Sequence, residues 1–196
     1  MERDVEGKRA DRRSTMPTLA LQVQADLQNV TRLTPTDGVD AALLLGLECT
    51  SCHEQHPNAV ALDPSNVDEL QRSRGEANLI VNCPSCRHEN SATYVVRKPG
   101  SKDDPKLGEI APWSEIVSDE SRGWQTLCTV DFRGMTPLDP SIDTLLPDGA
   151  SWTCYGAESG TPFTDVQFEE GEWHDYDEKA SDEVGIADVA FRWQKV

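Results

Sequence analysis

Two cysteine pairs constrain this chain more than anything else in it. Cys49-Thr-Ser-Cys52 and Cys83-Pro-Ser-Cys86 are separated by 30 residues. Two thiolates at this spacing in a tight turn face one ion, and two such turns supply four soft ligands for tetrahedral zinc. A chain that uses them this way must bring two distant turns together, and the segment between them must build structure of its own, such as a further hairpin. The local chemistry suits such turns. Pro84 fixes a backbone angle, and Ser51 and Ser85 are small enough to let backbone N–H groups approach the sulfurs. Each pair also follows an apolar stretch, Leu43 to Leu47 and Leu79 to Val81, so the two knuckles are expected at the ends of two strands.

Other uses of these thiols stay open at this point. Disulfides suit small secreted domains, whereas 196 residues can bury a core without staples and the N-terminus carries no secretory apolar region. A thioredoxin-like redox pair is expected as a single CxxC at a helix N-terminus. Iron takes the same ligands, but nothing else in the sequence suggests electron transfer. Four protein thiolates would close the coordination sphere and leave no position for water. The expectation is therefore one structural zinc per chain held by Cys49, Cys52, Cys83 and Cys86, worth on the order of 10 kcal/mol in coupled folding. His53 and His88 stand near the knuckles as neighbours of the ligands. Cys128 and Cys154 have no partner at ligand spacing and are expected as buried, inert thiols.

The periodicity favours strands. Leu19, Leu21, Val23, Ala25 and Leu27 alternate with mostly polar residues, which places the apolar set on one face of a strand. Cys128, Val130 and Phe132 repeat the pattern, as do Val189, Phe191 and Trp193. Asn78 to Asn82 and Ala92 to Arg97 read as short strands. The best helical candidate follows Pro64, where Ser65 or Asn66 would cap a turn running through Leu70. A shift of 105 positions lays LQNVTRLTP (27–35) on FRGMTPLDP (132–140) and Cys49 on Cys154. This suggests a duplicated β-unit whose second copy lacks the metal. The expected fold is mainly β: two similar tandem β-sandwich or barrel-like lobes, with zinc in the first.

Charge sharpens the division. Residues 1–15 hold five basic and four acidic side chains without apolar periodicity and are expected as a disordered extension. Residues 16–98 would form the zinc-binding lobe, 99–122 an exposed polar and acidic connector, and 123–196 an acidic lobe without metal. Residues 16–100 carry a net charge of −4 and residues 101–196 carry −14, out of −17 for the whole chain. That sign disfavours nucleic acid and anionic membranes as partners and points to a basic protein. Between Glu158 and Asp188 lie eleven acidic residues and one basic residue, Lys179. Pairing His174 with Asp175 or Asp177 would suit a hydrolase, but no nucleophile, base and oxyanion donor are assembled, and no calcium-loop spacing is present. Trp173 and Tyr176 among the acids suit an interface anchor, and core packing suits Trp173 better still.

These motifs together resemble the eukaryotic CXXC-motif-containing zinc-binding proteins, a family without an established activity. The resemblance is carried by MPTLALQVQADLQNVTRL, the two knuckles with RGEANLIVNC before the second, FRGMTPLDP, ESGTPFTDV and EWHDYDEKASDEVGI. It starts at Met16 and runs to the C-terminus. Residues 1–15 and a longer stretch around 99–121 depart from the family pattern. The resemblance implies a mostly β protein of two similar lobes, with one zinc on Cys49, Cys52, Cys83 and Cys86. The expected role is a non-catalytic, monomeric, cytoplasmic protein, with nuclear presence also allowed, that binds a protein partner or handles metal. The rival role is a thiol-based redox or zinc-relay protein in which the knuckle thiolates react.

Overall fold

The structure is a computed structural model and describes residues 17–71, 74–95, 112–118 and 123–196. The extension expected over 1–15 and most of the connector expected over 99–122 lie outside the described residues. The chain is mainly β. Its first half forms β1 (Thr18–Gln28), β2 (Val30–Pro35), β3 (Leu43–Leu45), β4 (Leu47–Cys49), β5 (Val60–Leu62), β6 (Asp68–Glu69), β7 (Glu76–Ala77), β8 (Leu79–Asn82) and β9 (Glu89–Tyr94). The second half forms β10 (Gln125–Arg133), β11 (Met135–Pro137), helix α1 (Ile142–Leu145), β12 (Trp152–Gly156), β13 (Pro162–Val166), β14 (Trp173–Asp177) and β15 (Asp182–Lys195).

Six strands make the principal sheet in the order β14-β15-β1-β10-β9-β8, which curls into a half-barrel. Register shifts in β1, between Leu21 and Gln22 against β10 and between Gln24 and Asp26 against β15, mark bulges that increase the local bend and twist. The alternation read along β1 serves its purpose, since Leu21 and Val23 are fully enclosed. They join Leu33, Leu43, Leu45, Leu127, Phe132 and Ile186 in one continuous core. Burying each such side chain contributes about 1.5–3 kcal/mol relative to leaving it in water. Phe132 packs edge-on to Trp193 with ring centroids 5.3 Å apart, which ties β10 to the end of β15.

The lobes expected at 16–98 and 123–196 do not close separate sheets. Both neighbours of β1 come from the other half of the chain, β10 on one side and β15 on the other. The short strands cross over as well: β2 pairs with β12, and β11 pairs with β4. Local alternation tells which face of a strand is buried and says nothing about which strand lies beside it, so the tandem arrangement gives way to an interleaved one.

The arrangement reads alike from either edge of the principal sheet: hairpin, long strand, long strand, hairpin. Each long strand ends in a left-handed residue before its short continuation, Asn29 at φ 55° after β1 and Gly134 at φ 74° after β10. Those two bends are 105 residues apart, the same offset that aligns LQNVTRLTP with FRGMTPLDP.

Two smaller expectations also change. Residues 65–70 form a turn and the short strand β6 in place of a helix, because Asp63 accepts from the Ser65 N–H at 2.8 Å and closes the chain into a turn. Part of the presumed exposed connector is core: Trp113 and Ile116 are buried, and Ile116 exchanges backbone hydrogen bonds with Leu33 at 2.8 and 2.9 Å.

Candidate metal centre

The two knuckles are built alike from the backbone upward. In the first, the Cys49 carbonyl accepts from the His53 N–H at 2.8 Å and the Cys49 N–H donates to the Glu54 carbonyl at 3.0 Å. In the second, the Cys83 carbonyl accepts from Arg87 and the Cys83 N–H donates to the His88 carbonyl, both at 2.9 Å. His53 and Arg87, each four residues after the leading cysteine, take the left-handed conformation at φ 59° and 58°. This conformation turns the chain back after the second thiol, so that Glu54 and His88 return to pair with the leading cysteines.

Strands deliver the knuckles as the apolar stretches suggest. Cys49 ends β4, and Cys83 follows the last residue of β8. The first knuckle rests on the other half of the chain, because Cys49 pairs with Met135 of β11 and the Thr50 N–H donates to the Gly134 carbonyl at 3.0 Å. The second sits at the end of the β8–β9 hairpin on the edge of the principal sheet.

All four expected sulfurs come together. The Sγ atoms of Cys49, Cys52, Cys83 and Cys86 lie within 4.8 Å of one another. Cys49 and Cys86 are 3.7 Å apart, and Cys52 and Cys83 are 3.5 Å apart. A zinc–sulfur bond of about 2.3 Å puts the corners of a tetrahedron about 3.8 Å apart, so the donor set fits a tetrathiolate ion in size and chemistry. Cys49 and Cys83 are buried, Cys52 is half-buried and Cys86 is exposed, so one side of the cluster meets solvent.

The thiols differ in how readily they ionise. Burial works to raise Cys49, but the N–H groups of Ser51 and Cys52 and the sulfurs of Cys86 and Cys83 outweigh it and bring the thiol down to about 6. Cys83 is lowered by the N–H of Cys86, against burial, with help from the N–H of Ser85. At Cys52 the N–H of Glu54 favours the thiolate, yet burial and the neighbouring sulfurs raise it to about 12. The expected approach of backbone N–H groups to the sulfurs is therefore present in both knuckles, with Ser51 and Ser85 among the donors.

The other candidates lie elsewhere. His53 is exposed beside Glu48, with Nδ1 3.4 Å from Oε1, and stands outside the four-sulfur group. Cys128 and Cys154 are buried as expected, Cys128 pushed up by burial and Cys154 to about 12 by burial and the nearby Asp175 carboxylate. His174 lies exposed beside Glu172. Trp173 is half-buried with its ring 5.4 Å from that of Phe163, whereas Tyr176 is half exposed.

Asp177 has a role that motif reading passes over. It is buried and accepts from the Ser159 hydroxyl, from the Thr161 hydroxyl at 3.0 Å, and from the N–H groups of Lys179 and Ala180 at 3.0 and 3.2 Å. The carboxylate thereby ties the loop after β12 to the turn between β14 and β15. The Ser159 hydroxyl leads the donors that hold it below the usual carboxylate range, against a smaller effect of burial. The local signal is an Asp followed by a turn, which predicts the Lys179 and Ala180 bonds. The hydroxyls of Ser159 and Thr161 come from a different hairpin and leave no local signal.

Comparison with known proteins agrees with the geometry. The profile of the family described as CXXC motif containing zinc binding protein, eukaryotic, matches residues 20–194. A CXXC motif containing zinc binding protein of Xenopus laevis is 31% identical over 180 residues, spanning 92% of this chain and 99% of the relative. The human protein of that name is 29% identical with the same coverage. The crystal structure of C1orf123 superposes with a TM-score of 0.72 at 28% identity, over 91% of this chain and 99% of that one. A hypothetical protein from Plasmodium falciparum, 17% identical with a TM-score of 0.67 over 91% of this chain, shares the fold.

Proposed function

The chain belongs to the eukaryotic CXXC motif containing zinc binding proteins, and on that premise we propose that it is a non-catalytic protein holding one zinc ion on Cys49, Cys52, Cys83 and Cys86. The observation that carries this reading is the convergence of four sulfurs within 4.8 Å from two separate turns. Zinc would supply a closed tetrahedral clamp between the β4 and β8 knuckles, and through β11 it would tie the two halves of the chain together. The reading includes the internal duplication, which the 105-residue offset between the Asn29 and Gly134 bends supports. In the second half the Asp177 carboxylate ties loop to turn much as the metal would in the first.

The role that fits is interaction or metal handling. The −14 carried by residues 101–196 suits a basic protein partner and opposes nucleic acid and anionic lipid. No helix among the described residues is long and apolar enough to cross a membrane. A monomer in the cytoplasm, with nuclear presence allowed, completes the reading. The rival is a thiol redox or zinc-relay protein, and the solvent-facing Cys86 is the observation in its favour.

Elemental analysis of the purified chain tests the proposal. About one zinc per chain is expected, retained under mild oxidant, and Cys49→Ser or Cys83→Ser should abolish both zinc content and cooperative unfolding. A folded, metal-free chain with a Cys49–Cys52 disulfide would overturn it and promote the rival. Capture of a basic partner should weaken as salt rises, because exposed charges are screened beyond about 10 Å at 0.1 M ionic strength.

A further inference from the structure

Two sulfur contacts cross between the knuckles. Each close pair joins one knuckle to the other, Cys49 to Cys86 at 3.7 Å and Cys52 to Cys83 at 3.5 Å. The hydrogen bonds from His53 to Cys49 and from Arg87 to Cys83 close each turn, and the left-handed residues at 53 and 87 hold it in that shape. A disulfide needs its sulfurs about 2.05 Å apart with a dihedral near 90°. Two rigid turns reach that geometry most easily by settling toward each other, with both turns intact.

We propose that hydroperoxides convert this cluster into two disulfides that cross between the knuckles, Cys49–Cys86 and Cys52–Cys83, and expel the zinc. The zinc release rests on the metal reading above; the disulfide pattern does not. The exposed Cys86 is the point of entry. Its sulfur attacks the terminal peroxide oxygen, the O–O bond breaks, and Cys86 becomes a sulfenic acid while the leaving oxygen departs as water or alcohol after protonation. The Cys49 thiolate then attacks the Cys86 sulfur and displaces hydroxide, which takes a proton to become water. A second hydroperoxide is consumed in the same way at the half-buried Cys52, resolved by Cys83. Each disulfide gives up two electrons to one hydroperoxide and uses two protons from solvent. Once all four thiolates are consumed, the metal has no ligands here and leaves as Zn2+.

The consequence for the fold is specific. Crossed disulfides keep the two knuckles joined after the metal has gone, so β4 stays fixed against the β8–β9 hairpin. Disulfides inside each knuckle would close loops of only four residues and join nothing. The site would therefore release zinc under peroxide while the chain stays folded. Cys128 and Cys154, both buried, take no part.

Peptide mapping tests this directly. Trypsin cuts after Arg32, Arg72, Arg74 and Arg87, which places Cys49 and Cys52 in peptide 33–72 and Cys83 and Cys86 in peptide 75–87. The full chain is treated with excess hydrogen peroxide, quenched in acid and digested without reductant. One species is expected, containing both peptides joined by two disulfides and lighter by four hydrogens than their sum. Partial reduction of the joined species, with alkylation of the thiols it frees, should label Cys49 together with Cys86 or Cys52 together with Cys83; joint labelling of Cys49 with Cys83 would overturn the pairing. A metallochromic indicator should report zinc release in step with the formation of the joined species. Two separate peptides, each lighter by two hydrogens, would overturn the proposal, as would four thiols that stay reduced. If the isolated chain holds no zinc, the metal reading fails, while the mapping still decides the disulfide pattern.

Discussion

Gly134→Ala is the substitution that most directly links the fold to the metal centre. Gly134 makes the bend between β10 and β11 at φ 74°, a conformation that costs an L residue about 1–2 kcal/mol. A Cβ there would overlap Asn90 Oδ1 and stand 3.1 Å from His88 Cδ2. Asn90 is buried, so its Oδ1 must shift within the interior to admit the methyl group. Overpacking of this kind adds about 1–3 kcal/mol, for an expected loss of about 2–5 kcal/mol. Gly149→Ala provides the control. Gly149 has φ 84°, but a Cβ there meets nothing described within 4 Å, so only the backbone cost of about 1–2 kcal/mol applies. Urea unfolding of the zinc-loaded proteins measures both, read as shifts in midpoint at constant slope. Because the Gly134 carbonyl accepts from Thr50, next to Cys49, Gly134→Ala should also speed zinc loss to a chelator, and Gly149→Ala should not. Adding Asn90→Ala to Gly134→Ala should recover the contact part of the loss as a coupling energy of about 1–3 kcal/mol. Equal losses for the two glycine variants, or zero coupling, would refute the packing argument and leave only backbone strain.

Three further outcomes are expected. Phe132→Ala removes a fully buried ring that packs on Trp193 and should cost about 3–5 kcal/mol, lowering Tm by about 2–4 °C per kcal/mol, as calorimetry would show. Asp177 has a depressed folded pKa, so its contribution is present above the unfolded carboxylate range and is lost as pH falls through the folded value. Asp177→Asn should therefore lower stability at neutral pH, flatten the acid limb of a stability–pH profile and leave zinc content unchanged. Glu115→Gln removes the exposed ion pair in which Arg32 donates to Glu115 at 2.7 and 2.9 Å, and should change stability by no more than about 1 kcal/mol, less in high salt.

Different parts of the molecule were legible to different degrees. The four-cysteine cluster could be read from the sequence, because a CxxC turn and its hydrogen bonds are local: Cys49, His53 and Glu54 lie within six residues, as do Cys83, Arg87 and His88. The faces of β1 and β10 were legible for a similar reason, since a two-residue period depends only on the pleat. The turn at 63–70 was misread as helical because Ser65 and Asn66 suit a cap, while Asp63, two residues earlier, closes the chain first. The burial of Trp113 and Ile116 was hidden by the polar residues around them. The structural role of Asp177 could not be read, because the Ser159 and Thr161 hydroxyls that occupy it lie 18 and 16 residues away.

The sequence by itself determined that this chain forms strands, that two turns present four thiols, and that its two halves share a pattern 105 positions apart. These depend on interactions a few residues apart, which amino-acid order controls directly. Only the tertiary structure decided that the halves interleave, with β1 held between β10 and β15, and that β11 of the second half supports the knuckle of the first. Strand neighbours are selected by how a whole sheet buries its apolar face, and that selection is made across more than a hundred residues at once.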